Sequence, residues 1–134
     1  MQRRVRLVLI AAVLATSALL RADENMWKRV ERFEAGTRVK ITVEGAEPAE
    51  RYFVRLSDSA VVVLNLTASN LPKRQLLNMA IDNPAWMAGT SKTTYRDNNL
   101  RVGPTGVFVK NKKVAELNQV VEWIPRAKVT AIEK

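Results

Sequence analysis

The chain has 134 residues, with 22 Lys and Arg against 13 Asp and Glu for a formal net charge of +9, and it contains neither cysteine nor histidine. Without those two residue types, zinc and copper sites of the usual kind, a Ser-His-Asp triad and a Cys-His dyad are all excluded, and no disulfide can hold the fold. A pair of carboxylates or a Ser-Lys arrangement remains for catalysis, but scattered acids locate neither, so no catalytic residue, metal or cofactor is assigned from the sequence.

Arg3, Arg4 and Arg6 precede a 14-residue uncharged run, Leu7 to Leu20, and Arg21-Ala22-Asp23-Glu24 then restores polarity. Basic, then apolar, then small is the order of a secretory signal peptide, expected here over residues 1–22. The run falls short of the about 20 residues that span a hydrocarbon core, so cleavage is expected. An uncleaved signal-anchor is the alternative, and it would be the protein's route to a membrane. The arginines stay at the front, unlike those of a mitochondrial presequence. A cut after Ala22 leaves the large Leu20 near the site, whereas Ala15-Thr16-Ser17-Ala18 offers smaller residues. The missing cysteine excludes a lipid-anchored lipoprotein. Removal of residues 1–22 leaves 112 residues, one domain over 23–134, in which 18 Lys and Arg face 13 Asp and Glu for a net +5. Part of the basicity that suggests a nucleic-acid partner therefore belongs to the address.

Beyond that segment, Trp27, Val30 and Phe33 recur every three residues with charges between them, which predicts a short amphipathic helix capped by Asn25 and ended by Gly36. Val39, Ile41 and Val43 alternate with polar residues, the mark of a half-buried strand. Glu44-Gly45-Ala46-Glu47-Pro48 is a loop. A second strand is expected over 51–56, with Tyr52, Val54 and Leu56 on one face. Ser57-Asp58-Ser59 connects it to a third, Ala60 to Leu66, whose apolar centre requires cover on both faces or a bend through a small barrel. The Asn65-Leu66-Thr67 sequon lies in this apolar strand and carries no weight.

From Thr67 to Gln119 the pattern changes. Leu76, Leu77, Ala80 and Ile81 form one face of a helix over 71–82, with Pro72 in its first turn and Asn83-Pro84 as its stop. Trp86 and Met87 are read as core cover. Ser91 to Gly106 is the most polar stretch, with turn signals at Asn98-Asn99 and Gly103-Pro104. Val107-Phe108-Val109 is a short strand, Lys110-Asn111-Lys112-Lys113 a basic turn, and Val114 to Leu117 fits helix and strand equally well. At the C-terminal end a strand over 120–124, a turn at Pro125 to Lys128 and a last strand over 129–132 complete the series.

The helix, the G-T-x-V-x-V strand, the S-D-S connection and the terminal I-P-R-A-x-V-x-x-I resemble the Sm-like (LSm) family of small SH3-type barrels, as carried by exported bacterial domains. Trp27, Val30, Gly36, Val39, Val43, Asp58, Ile124, Pro125, Arg126, Val129 and Ile132 bear the resemblance, over about 25–66 and 120–133. It implies a mainly β fold: a five-stranded Sm-like or SH3-like barrel with a short N-terminal helix and a helix-containing insertion, about 67–119, between strands three and four. RNA-binding members of that family carry an arginine-glycine near the last turn, whereas Arg126 is followed by Ala127.

The insertion is the expected binding surface, because loops on a rigid scaffold usually hold function. Tyr95, Arg96, Arg101, Lys110, Lys112 and Lys113 are its candidate residues, a cationic patch with an aromatic suited to phosphate, carboxylate or an anionic envelope polymer. The expected role is a non-catalytic interaction or structural module of the bacterial envelope, periplasmic or secreted, whose partner is a protein or an anionic polymer. A nucleic-acid or polyanion binder and a small carboxylate hydrolase are the alternatives. Open barrel edges leave homo-oligomerisation open.

Overall fold

The computed structural model describes residues 24–89 and 93–134. The expected signal peptide, and Ser91 and Lys92 of the polar stretch, lie outside those residues. The chain divides into two units, Met1–Arg32 and Phe33–Lys134. In the first, residues 24–30 form helix α1, with Met26 and Val30 buried. Glu24 is already helical, so Asn25 lies within the helix and is not the expected cap.

The second unit is mainly β and holds two antiparallel sheets, of five and four strands. The larger comprises β1 (Arg38–Val43), β2 (Ala49–Leu56), β3 (Ala60–Leu64), β8 (Val121–Pro125) and β9 (Val129–Glu133), in the order β8-β3-β2-β1-β9. Its ladder does not close: β8 and β9 are the two edges. All five residues of β3 are buried, as an apolar central strand requires. Val61 and Val63 share one face with Phe53, Val39, Ile41 and Ile132, all buried. On the same face Arg51 and Glu122 form an ion pair of 2.6 Å across β3.

The opposite face carries Val62, Leu64 and Val121, and it packs on the insertion. There α2 (Lys73–Asp82) contributes Leu76, Met79 and Ala80, and α3 (Pro84–Ala88) contributes Met87 and Ala88. Pro72 precedes α2 as its N-cap. Asn83 donates its N–H to Met79 O at 2.9 Å and ends α2, and Pro84 opens α3, where a proline lacking an N–H costs nothing. Met79 takes the core position expected of Ile81, which lies 46 % exposed.

The expected alternation in β2 breaks at a bulge between Phe53 and Arg55. Phe53 and Val54 are therefore both buried, Leu56 pairs with Val61 on the other face, and Arg55 lies opposite Val62.

The larger departure from expectation is in the rest of the insertion. The expected strand at Val107 to Val109 is present within β6, but where polar turns were expected around it the chain folds into a second sheet of β4 (Tyr95–Asp97), β5 (Leu100–Gly103), β6 (Gly106–Val109) and β7 (Lys112–Ala115), paired in sequence order. Leu100, Val102 and Val107 are buried and join the same core as Leu64 and Leu76. The basic turn shrinks to Lys110-Asn111, since Lys112 and Lys113 already belong to β7. Val114 and Ala115 are strand, while Leu117 opens α4 (Leu117–Val120), which takes Val120 out of the expected terminal strand. Short strands joined by two-residue turns carry too few residues for period-two alternation to show. A single 3-10 turn at Arg126–Lys128 links β8 to β9.

Candidate functional site

In the four-stranded meander, Arg96 lies directly opposite Arg101, Arg101 opposite Phe108, and Phe108 opposite Lys113. These four residues share the face away from the core, since Leu100, Val102 and Val107 occupy the other. The Arg101 guanidinium carbon sits 4.2 Å from the centroid of the Phe108 ring, a cation–π contact that fixes its position. Two hairpin turns flank this row on one side. Their backbones are tied together by the Lys110 N–H, which donates to Asn99 O at 2.9 Å. Between them lies a cavity of about 170 Å³ lined by Arg96, Asn98, Asn99, Leu100, Arg101, Lys110 and Asn111.

Three of the six expected residues therefore meet, Arg96, Arg101 and Lys110, and three do not. Tyr95 falls on the core face beside Val102, at the sheet edge, with its ring 4.8 Å from that of Trp86. Trp86 in turn donates its Nε1–H to Thr93 Oγ1 at 2.9 Å, so this aromatic pair is structural. Lys112 lies opposite Val109, off the Arg96–Arg101 row. Lys113 is on that row but is paired with Glu116 at 2.5 Å.

The side chains that sequence reasoning missed are the amides of Asn98, Asn99 and Asn111, which it took only as turn formers, and Phe108. The apolar run Val107-Phe108-Val109 is too short by itself to set which face Phe108 takes.

The electrostatics of the cavity are one-sided. No carboxylate lines it, and among the described residues Arg96, Arg101 and Lys110 have no salt-bridge partner. Like charges directly opposite in an antiparallel pair repel. A bound anion would relieve that repulsion.

Lys110 and Asn111 have φ of 51° and 67°, the positive pair that a type I′ hairpin turn demands. Asparagine and glycine tolerate that region and lysine does so poorly, so Lys110 is held in a conformation that its side chain alone would not favour. Lys110→Asn is expected to raise stability by about 1 kcal/mol, read from a urea melt, because asparagine enters the left-handed region more readily than lysine.

Titration is perturbed elsewhere. On β1 and β2 the Glu50 carboxyl is held below its usual range by a hydrogen bond from Arg38, reinforced by the arginine's charge. Both side chains are well exposed, as in a surface ion pair. Among the described residues no group of three metal-ligating side chains occurs, and no helix is long and apolar enough to cross a membrane.

No family model matches the chain, and no match to it was found among curated proteins or solved structures.

Proposed function

We propose that the chain is an exported, non-catalytic binding module of the bacterial cell envelope, and that its meander holds an anionic group of an envelope polymer in the Arg96–Arg101–Lys110 cavity. The observation that carries this reading is the cross-strand arginine pair, closed by Lys110 and three amides with no carboxylate among the lining residues. Guanidinium groups present paired N–H donors that match the oxygens of phosphate and carboxylate, and the amides add donors that carry no charge. Export rests on the basic-apolar-small order of residues 1–22.

The scaffold in this proposal is an Sm-type open barrel. Its support is the strand order β8-β3-β2-β1-β9, which sets the last strand beside the first and leaves the insertion between the third and fourth strands of that sheet. The 3-10 turn before the last strand and the preceding helix agree with the same plan.

Titration with polyphosphate and with polyglutamate at 50 and 200 mM salt tests the anion site and tells phosphate from carboxylate. Neutralisation of three anionic groups by these three cations releases counterions condensed on the polymer, which predicts a fall of about tenfold or more in affinity between the two salt concentrations. Arg101→Ala removes a charged donor worth about 1.5–3 kcal/mol, so binding should drop about 10- to 100-fold. A flat salt response, or a variant that binds as well as the parent, overturns the assignment. Equally tight binding of a mixed-sequence single-stranded DNA would move the reading to a nucleic-acid binder.

A further inference from the structure

A second concavity, of about 460 Å³, opens where the five-stranded sheet runs out from under α3. That volume falls within the range of small-molecule sites, about 300–1,000 Å³. A transverse row across three strands forms one wall: Arg55 on β2 lies opposite Val62 on β3, and Val62 lies opposite Trp123 on β8. Arg55 belongs to this row because of the bulge at Val54. In an unbroken ladder Val54 would face Val62, and Arg55 would point to the other side of the sheet. Ala85 and Ala88 of α3 form the facing wall, and their short side chains leave the space open.

Trp123 is 52 % exposed, whereas Val62 beside it is 1 % exposed. An indole left half in water on an edge strand, over a buried valine, offers one flat apolar face at the mouth of a cavity. Asp58 completes the rim, and its loop is fixed. The Ser57 N–H donates to Ala60 O at 2.9 Å, the Arg126 N–H to Ser59 O at 2.9 Å, and Arg126 Nε to Ser57 O at 2.7 Å. Neither Arg55 nor Asp58 has a salt-bridge partner among the described residues.

These features select a ligand chemistry. One arginine and one aspartate give the lining no net charge, so the groove does not select an anion as the meander cavity does. Arg55 only donates hydrogen bonds and ionised Asp58 only accepts them. A ligand that satisfies both with one edge must carry groups that donate and accept, as hydroxyls do. A ligand that covers the indole must also have a flat C–H face. A pyranose ring has both.

We propose that this groove is a carbohydrate subsite for one or two neutral pyranose units of a glycan, with Trp123 as the stacking platform and Arg55 and Asp58 as the hydroxyl partners. The site is separate from the cationic cavity and does not depend on that assignment.

Chitotetraose and maltotetraose, titrated into the full chain and followed by tryptophan fluorescence and saturation-transfer NMR, test it. At least one should bind, with affinity unchanged between 50 and 500 mM salt and unchanged in Arg101→Ala. Trp123→Ala should weaken binding about tenfold or more, and Trp123→Phe should keep most of it, because a smaller aromatic face remains. Asp58→Asn should weaken binding without altering the fold, since Asp58 makes none of the hydrogen bonds that hold its loop. Absence of binding by both sugars at 5 mM overturns the proposal, as does binding that survives Trp123→Ala. The exposure of Trp123 means that its loss should leave the melting curve in place, and that curve, with the Phe variant, separates a lost site from a lost fold.

Discussion

Leu64→Ala is expected to lower the unfolding free energy by about 3 kcal/mol and to do so in one cooperative transition. Leu64 is fully buried at the end of the central strand β3, between Tyr52 on β2 and Val121 on β8. It belongs to one cluster with Leu76 and Met79 of α2, Met87 of α3 and Leu100, Val102 and Val107 of the meander. Truncation to alanine removes the transfer free energy of the lost carbons and leaves a cavity that neighbours on three elements must all move to fill. A domain of this size is stable by about 5–15 kcal/mol in total, and no disulfide is present to hold the chain once packing weakens. Urea unfolding followed by both fluorescence and circular dichroism checks the prediction. Coincident transitions shifted to lower urea are expected. Two separated transitions would show that the meander and the five-stranded sheet do not share a core in solution.

Gly106→Val is expected to cost a similar amount, about 3 kcal/mol, by a different route. Gly106 begins β6 with φ of +133°, a region that a side-chain-bearing residue rarely enters. A Cβ placed there would lie 2.9 Å from the carbonyl oxygen of Ala115 and 2.8 Å from Cε of Lys113. The lysine can swing aside, but the Ala115 carbonyl belongs to the neighbouring strand and can move only with the β6–β7 pair. A β-branched side chain adds a second atom to the same clash. Gly45→Ala is the control: its φ of +78° is also positive, yet nothing lies within 4 Å of the added Cβ, so strain alone should cost about 1 kcal/mol. Melting temperatures of the two variants measure the difference. Equal losses would mean that the β6–β7 pair yields easily. Because Lys110 and Asn111 sit at the far end of that hairpin, Gly106→Val should also weaken binding at the proposed anion site more than at the proposed glycan site beside Trp123.

The elements that were legible in advance are those whose pattern is local and long. Val39 and Ile41 alternate with polar residues over enough positions to identify β1, and five consecutive apolar residues identify β3 as a buried strand. Leu76 and Ala80, four residues apart, mark the buried side of α2 for the same reason. In the meander the strands have three or four residues, shorter than the window in which a period can be counted, and each turn reverses the chain before a pattern builds.

The sites lay further out of reach. Grouping Arg96, Arg101 and Lys110 needed the register set by the Asn98-Asn99 and Lys110-Asn111 turns, which also sent Lys112 off the row and let Glu116 take Lys113. The Trp123 groove depended on the bulge at Val54, a backbone irregularity with no mark in the residue types around it.

Composition alone excluded histidine and cysteine chemistry, and hydrophobic periodicity alone located β1, β3 and α2, because both are properties of neighbouring residues. Which cations share a cavity, which tryptophan meets water and which face Arg55 occupies were decided only by tertiary structure. Those properties depend on pairing between residues distant in the chain, and a shift of one residue in that pairing sends a side chain to the opposite face of its sheet.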